Sequence, residues 1–185
     1  MRVRSLGEIA FAGLAASCYL ACSSAGPYGH AKDYAPLGAE VDAASGAADY
    51  DPVMAGRQFD RWIGKSVSVF GVVKTRKELP DGSADLTLSI RTRQPRNLCE
   101  STDEETCRVT VGDHEFGVVH VSARLTPEDA EGSRRLGPGS LVRAIGAVKR
   151  EVHAQTGNAV IAGQFYRHWP AGYYVTTQAR AYMLR

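Results

Sequence analysis

The chain has 185 residues, 44% of them apolar, which suffices for one ordinary domain with a real core and is too short for a multidomain machine. Twenty-two Lys and Arg stand against twenty Asp and Glu, so a formal charge of +2 forces neither nucleic acid nor a membrane surface as partner. The composition also excludes a collagen-like chain or one that is low-complexity throughout.

Residues 1–21 read as a secretion signal: Arg2 and Arg4 come first, then an apolar stretch from Ile9 to Ala21. Those thirteen residues fall short of the roughly 20 a membrane-spanning helix needs. Tyr19-Leu20-Ala21-Cys22 resembles the lipobox of bacterial lipoproteins, with Tyr where Leu is usual, and Ala15-Ala16-Ser17-Cys18 is a rival box. The resemblance implies cleavage before Cys22, acylation of its sulfur and attachment to a membrane through that lipid. Ser23 then points to a location in the cell envelope, on the outer membrane facing the periplasm. Cutting there leaves two cysteines, Cys99 and Cys107, which in an oxidising compartment are expected to form a disulfide closing a polar loop. A zinc set of Cys99, Cys107, His114 and His120 lacks the tight spacings of structural sites, so no metal and no cofactor is expected.

Residues 23–56 hold twenty Ala, Gly, Ser or Pro among thirty-four, with one Lys and five acids. That composition predicts a flexible tether over 22–56, spanning about 30 Å as a coil. The domain is expected over 57–185, where nineteen basic residues face fourteen acids. Asp51-Pro52 starts a short helix that Gly64 stops. Strand alternation follows in 67–74; Pro80-Asp81-Gly82 turns the chain, and 86–93 alternates again. A third strand, bent or interrupted, runs through Val109-Thr110-Val111 and Phe116 to Val121. Thr126-Pro127 opens a helix that ends by Leu136, before Gly137-Pro138-Gly139. Strands then cover 141–152 and 159–166, and Pro170-Ala171-Gly172 turns into a C-terminal hairpin.

The segment Val67 to Lys74 matches Val142 to Lys149 at a constant offset of 75, with Val, Gly, Val and Lys identical. No third copy appears, so the echo reads as two strands meeting one steric problem, a sharp bend that glycine permits at Gly71 and Gly146. Val-x-Val-x-Gly-x-Val in the first strand, a helix between strands 3 and 4, and Gly-Ser-Leu-Val-Arg-Ala-Ile-Gly-Ala-Val opening the fourth resemble the OB-fold of small bacterial envelope proteins. The resemblance covers about residues 62–170 and implies an all-β fold with short helices, a small five-stranded OB-like barrel.

Lys74, Arg76, Arg91 and Arg93, with Arg96 and Lys77 nearby, can form a basic stripe, and Tyr166 and Trp169 are among the aromatic residues beside it. That combination binds single strands in some OB-folds. The competing reading is a solvated strand face over barrel-end packing. His114, His120, His153 and His168 fall in no catalytic frame and read as surface or satisfied-core histidines, and no nucleophile-base constellation is legible. The expectation is therefore a lipid-anchored, non-enzymatic binding or assembly module of the envelope, with an envelope protein or anionic glycan as partner. The alternative is a binder of anionic oligosaccharide or single-stranded nucleic acid. The inferred location made nucleic acid the unlikely partner.

Overall fold

The structure, a computed structural model, describes residues 26–183; the leader, with Cys18 and Cys22, lies outside the described residues. In chain order its elements are helix α1 (Gly38–Ala44), strand β1 (Ala48–Asp49), helix α2 (Pro52–Arg57) and strands β2 (Ser66–Glu78), β3 (Ala84–Ile90), β4 (Val109–Val111) and β5 (Val118–Ala123). Helix α3 (Pro127–Glu131) and strands β6 (Leu141–Val152), β7 (Ala159–Trp169) and β8 (Tyr174–Thr176) complete the list. Five strands run in the order β2-β3-β5-β7-β6, and β6 pairs back onto β2, so the sheet closes on itself. With β5 and β7 parallel and α3 between the third and fourth barrel strands, this is the OB topology.

The echo segments pair with each other. Gly71 lies opposite Val142 and Gly146 opposite Val67, in one antiparallel register. A methyl group on Gly71 would sit 2.8 Å from the Leu88 Cβ, and one on Gly146 would sit 2.0 Å from the Ala162 carbonyl oxygen. Each glycine therefore lets a third strand approach closely: β3 at Gly71 and β7 at Gly146, where the β6–β7 register also shifts. Inside the cylinder Val67, Val69, Leu86, Leu88, Val121 and Ile161 are fully or almost fully buried.

Local signals set the short helices. The Asp51 carboxylate accepts from the amides of Val53 and Met54 at the start of α2, and Thr126 caps α3 by accepting from Asp129 N. Cys99 and Cys107 are joined by a disulfide.

Three expectations are corrected. The third strand is not one interrupted strand: Val109–Val111 leaves the barrel and pairs, in parallel, with β8. For the same reason the C-terminal segment is no hairpin, because β8 turns away from β7 to make that pair. The small sheet buries Val109, Val111, Leu141 and Trp169 in a second apolar cluster at the barrel's edge.

The flexible tether is the third correction. From Gly26 to Tyr50 the chain is a strap laid over β6 and β7. The Glu40 side chain is fully buried, bonded to Arg143 and, at 2.8 Å, to Arg167. Arg167 also donates to the carbonyls of Gly26, Pro27 and Ala35. Trp169 Nε1 donates to Tyr28 O, and β1 adds to β2 in parallel. Composition suggests disorder because the strap has little apolar surface of its own; ion pairing to the barrel supplies what that surface does not.

Gly146→Ala is expected to lower the unfolding free energy by about 3 kcal/mol or more, because the clash is with backbone that cannot move aside. Gly137→Ala, with open space around it, should change stability by less than about 0.5 kcal/mol. Urea titrations of the two variants check the contrast.

Candidate ligand-binding cleft

The barrel wall where β2, β3 and β6 meet carries an open cleft of about 470 Å³. Its basic side is built around Phe70. Cross-strand pairing places Arg143 directly beside Phe70, with the guanidinium 5.3 Å from the ring centroid. Arg91 extends β3, its amide donating to Phe70 O, and its guanidinium bonds Asp113 O. The buried Arg91 Nε has no protein acceptor. Arg93 lies 4.8 Å from the Tyr34 ring and 5.9 Å from Phe70. Tyr50, Pro52, Val53 and the exposed Phe116 make the opposite, mostly apolar side.

The cleft's charge is modest. Arg91 and Arg93 contribute two positive charges, Arg143 and Arg167 share the one negative charge of Glu40, and Asp49 and Asp51 stand at the rim. Asp51 is engaged as the cap of α2.

Glu40 fixes Arg143 from behind. Burial disfavours its charged form, yet hydrogen bonds from Tyr34, Arg143 and Arg167, with the Leu37 amide, outweigh that and hold its carboxyl below the ordinary glutamate range. Burial and the adjacent carboxylate push the Tyr34 hydroxyl well up. The folded state thus keeps Glu40 ionised at pH values where the unfolded chain takes up a proton. Its contribution is complete above the ordinary glutamate value of 4.5 and is lost as pH falls through the depressed folded value. Glu40→Ala, which leaves the buried Arg167 guanidinium and the partly buried one of Arg143 without their carboxylate, should cost about 3 kcal/mol at pH 7. It should also flatten the acid limb below about pH 4.5 in a pH series of thermal melts.

The six residues expected to bind do not form one site. Arg91 and Arg93 line the cleft. Lys74 is exposed and paired with Glu115 at 3.4 Å. Arg76 donates to the carbonyls of Asp129, Ala130 and Leu136, tying the end of α3 and its following loop to the barrel. The Tyr166 hydroxyl joins Asp129 and the Thr126 amide, and Trp169 is fully buried. Arg143, Phe70, Tyr50 and Phe116 were missed; Arg143 was legible as an outward arginine in the second echo segment. Outside the cleft, Asp85, His120 and His153 bring three donor atoms within 4.8 Å of one another. No helix among the described residues is long and apolar enough to cross a membrane.

No protein-family model matches the chain, and no curated protein does. Among solved structures it is similar to the small single-stranded DNA-binding protein from Streptomyces coelicolor, at 23% identity and a TM-score of 0.36, over 57% of this chain and 94% of that one. It is also similar to the protein priB from Ralstonia solanacearum, at 12% identity and a TM-score of 0.28, over 58% of this chain and 99% of that one. The expectation that nucleic acid is an unlikely partner is withdrawn: it rests only on a location inferred from leader residues, which lie outside the described residues.

Proposed function

We propose that the cleft binds a flexible anionic polymer with planar groups, single-stranded nucleic acid, through Arg91 and Arg93 on one side and Phe70 and Phe116 as stacking surfaces. The observation that carries this reading is the set of guanidiniums gathered around Phe70, with a buried Arg91 Nε that has no acceptor in the protein. A groove that combines positive charge with aromatic faces suits a backbone of phosphates and bases of any sequence. Sequence-specific readout is not part of the proposal, because stacking and charge attract every base alike.

Because the cleft's own charge is small, binding is expected to be weak and only mildly salt-dependent. Two to three phosphate contacts give a slope of log K against log salt of about −1.4 to −2.1. Fluorescence anisotropy with a labelled oligo-dT reads this directly. Arg91→Ala and Arg93→Ala should each weaken binding about tenfold at low salt, roughly 1.4 kcal/mol, and flatten the slope by about 0.7. Phe116→Ala should weaken binding without changing the slope. Absence of binding at low salt, or binding indifferent to the two arginines, would defeat the proposal. Retention on heparin without affinity for oligo-dT would move the site to anionic glycans.

A further inference from the structure

On the outer wall of the barrel, away from the arginine cleft, His120 of β5 is only 2% exposed although its neighbours Val119 and Val121 point into the core. What covers it is the turn between β6 and β7. The register shift between Val148 and Val152 bends that hairpin, and the turn is closed by His153 N to Asn158 O and Gly157 N to His153 O, both 2.8 Å. His153 thereby lies flat on His120, ring centroids 3.6 Å apart and planes within 3°.

Both rings address one carboxylate oxygen. Asp85 Oδ2, on the adjacent strand β3, is 3.0 Å from His120 Nδ1 and 3.7 Å from His153 Nε2. The far side of each ring meets a single hydroxyl: Thr156 Oγ1 is 3.0 Å from His120 Nε2 and 3.1 Å from His153 Nδ1.

We infer that Asp85, His120 and His153 form a binding site for a divalent transition ion of the zinc or nickel class. Two imidazoles and a carboxylate are the donors such ions take, at about 2.0–2.2 Å. Tetrahedral bonds of that length set neighbouring donors roughly 3.4 Å apart, and two of the donor distances here, 3.0 and 3.7 Å, already bracket that spacing. The third donor pair closes by tilting the His153 ring off the stack, a movement its place on a surface turn allows. Thr156 fits the same state. When Nδ1 of His120 and Nε2 of His153 bind an ion, the remaining nitrogens carry hydrogens, and the Thr156 oxygen has two lone pairs that accept both in preference to the longer 3.4 Å contact from the Asn158 amide. One hydroxyl thus orients both ligand rings, the role that partners behind metal-bound histidines perform. The three donors come from β3, β5 and the hairpin, so an ion would pin the hairpin to the barrel. The hairpin residues Val152, Gly157, Asn158 and Ala159 border a second groove beside Phe116, and the ion would make that wall rigid.

The test is calorimetric titration of the full chain with Zn²⁺ and with Ni²⁺ at neutral pH. We expect one equivalent to bind with its affinity reduced at least tenfold in His153→Ala and Asp85→Asn, and reduced in Thr156→Val, where only the orienting group is lost. His153 lies on a surface turn, so its variant keeps the barrel, which far-ultraviolet circular dichroism checks. Saturating Zn²⁺ should raise the thermal midpoint of the native chain and leave that of His153→Ala unmoved. No saturable binding overturns the inference, and so does binding that survives His153→Ala and Asp85→Asn undiminished.

Discussion

The barrel depends on how near two backbones are allowed to come. At Gly146 the strand that closes the cylinder passes so close to its neighbour that no side chain, not even a methyl, fits between them. At Gly71 the same restriction applies one strand further round. Because the two segments pair with each other, their glycines relieve crowding at two points of a single seam, on either side of the closing ladder. Everything functional is then placed by that seam. Phe70 and Arg143 face each other across it, and Arg91 is held by the carbonyl of Phe70. A slip of one residue would turn both side chains into the core.

Around this apolar cylinder the protein uses charge as structural material. Glu40 pairs with two guanidiniums from adjacent strands, and the strap's carbonyls take three further donors of one of them. A pair of this kind contributes little net stability when whole, and its loss is costly because the partner charges stay buried. Its value is specificity of position: it fixes which face of the barrel the strap covers and holds Arg143 at the edge of the cleft. The same economy appears at Arg76, which satisfies three carbonyls at the end of α3 and so is unavailable to a ligand.

Much of this was legible in the residues. The echo at offset 75 located both ends of the seam, Asp51-Pro52 and Thr126-Pro127 marked two helix starts, alternation marked two of the five barrel strands, and strand character between turns marked two more. The failures share one cause, which is that long-range partners override local signal. Val109-Thr110-Val111 reads as half of a barrel strand until Tyr174-Val175-Thr176 offers a different mate. Glu40 reads as one acid in a small-residue stretch, and its partners lie 103 and 127 positions away. Arg91 and Arg93, which line the cleft, stand out in the sequence as alternating arginines just beyond a strand. Asp85 and His153 do not, because a lone histidine at a strand end carries no hint of the turn that folds it over His120.

The strap also joins the beginning of the described chain to its last barrel strand. Gly26 and Pro27 are gripped through their carbonyls by Arg167 of β7, which for Pro27 is 140 positions away in sequence. Early and late residues therefore move as one body, and a disturbance that frees β7 from the cylinder also undocks the segment that carries Glu40.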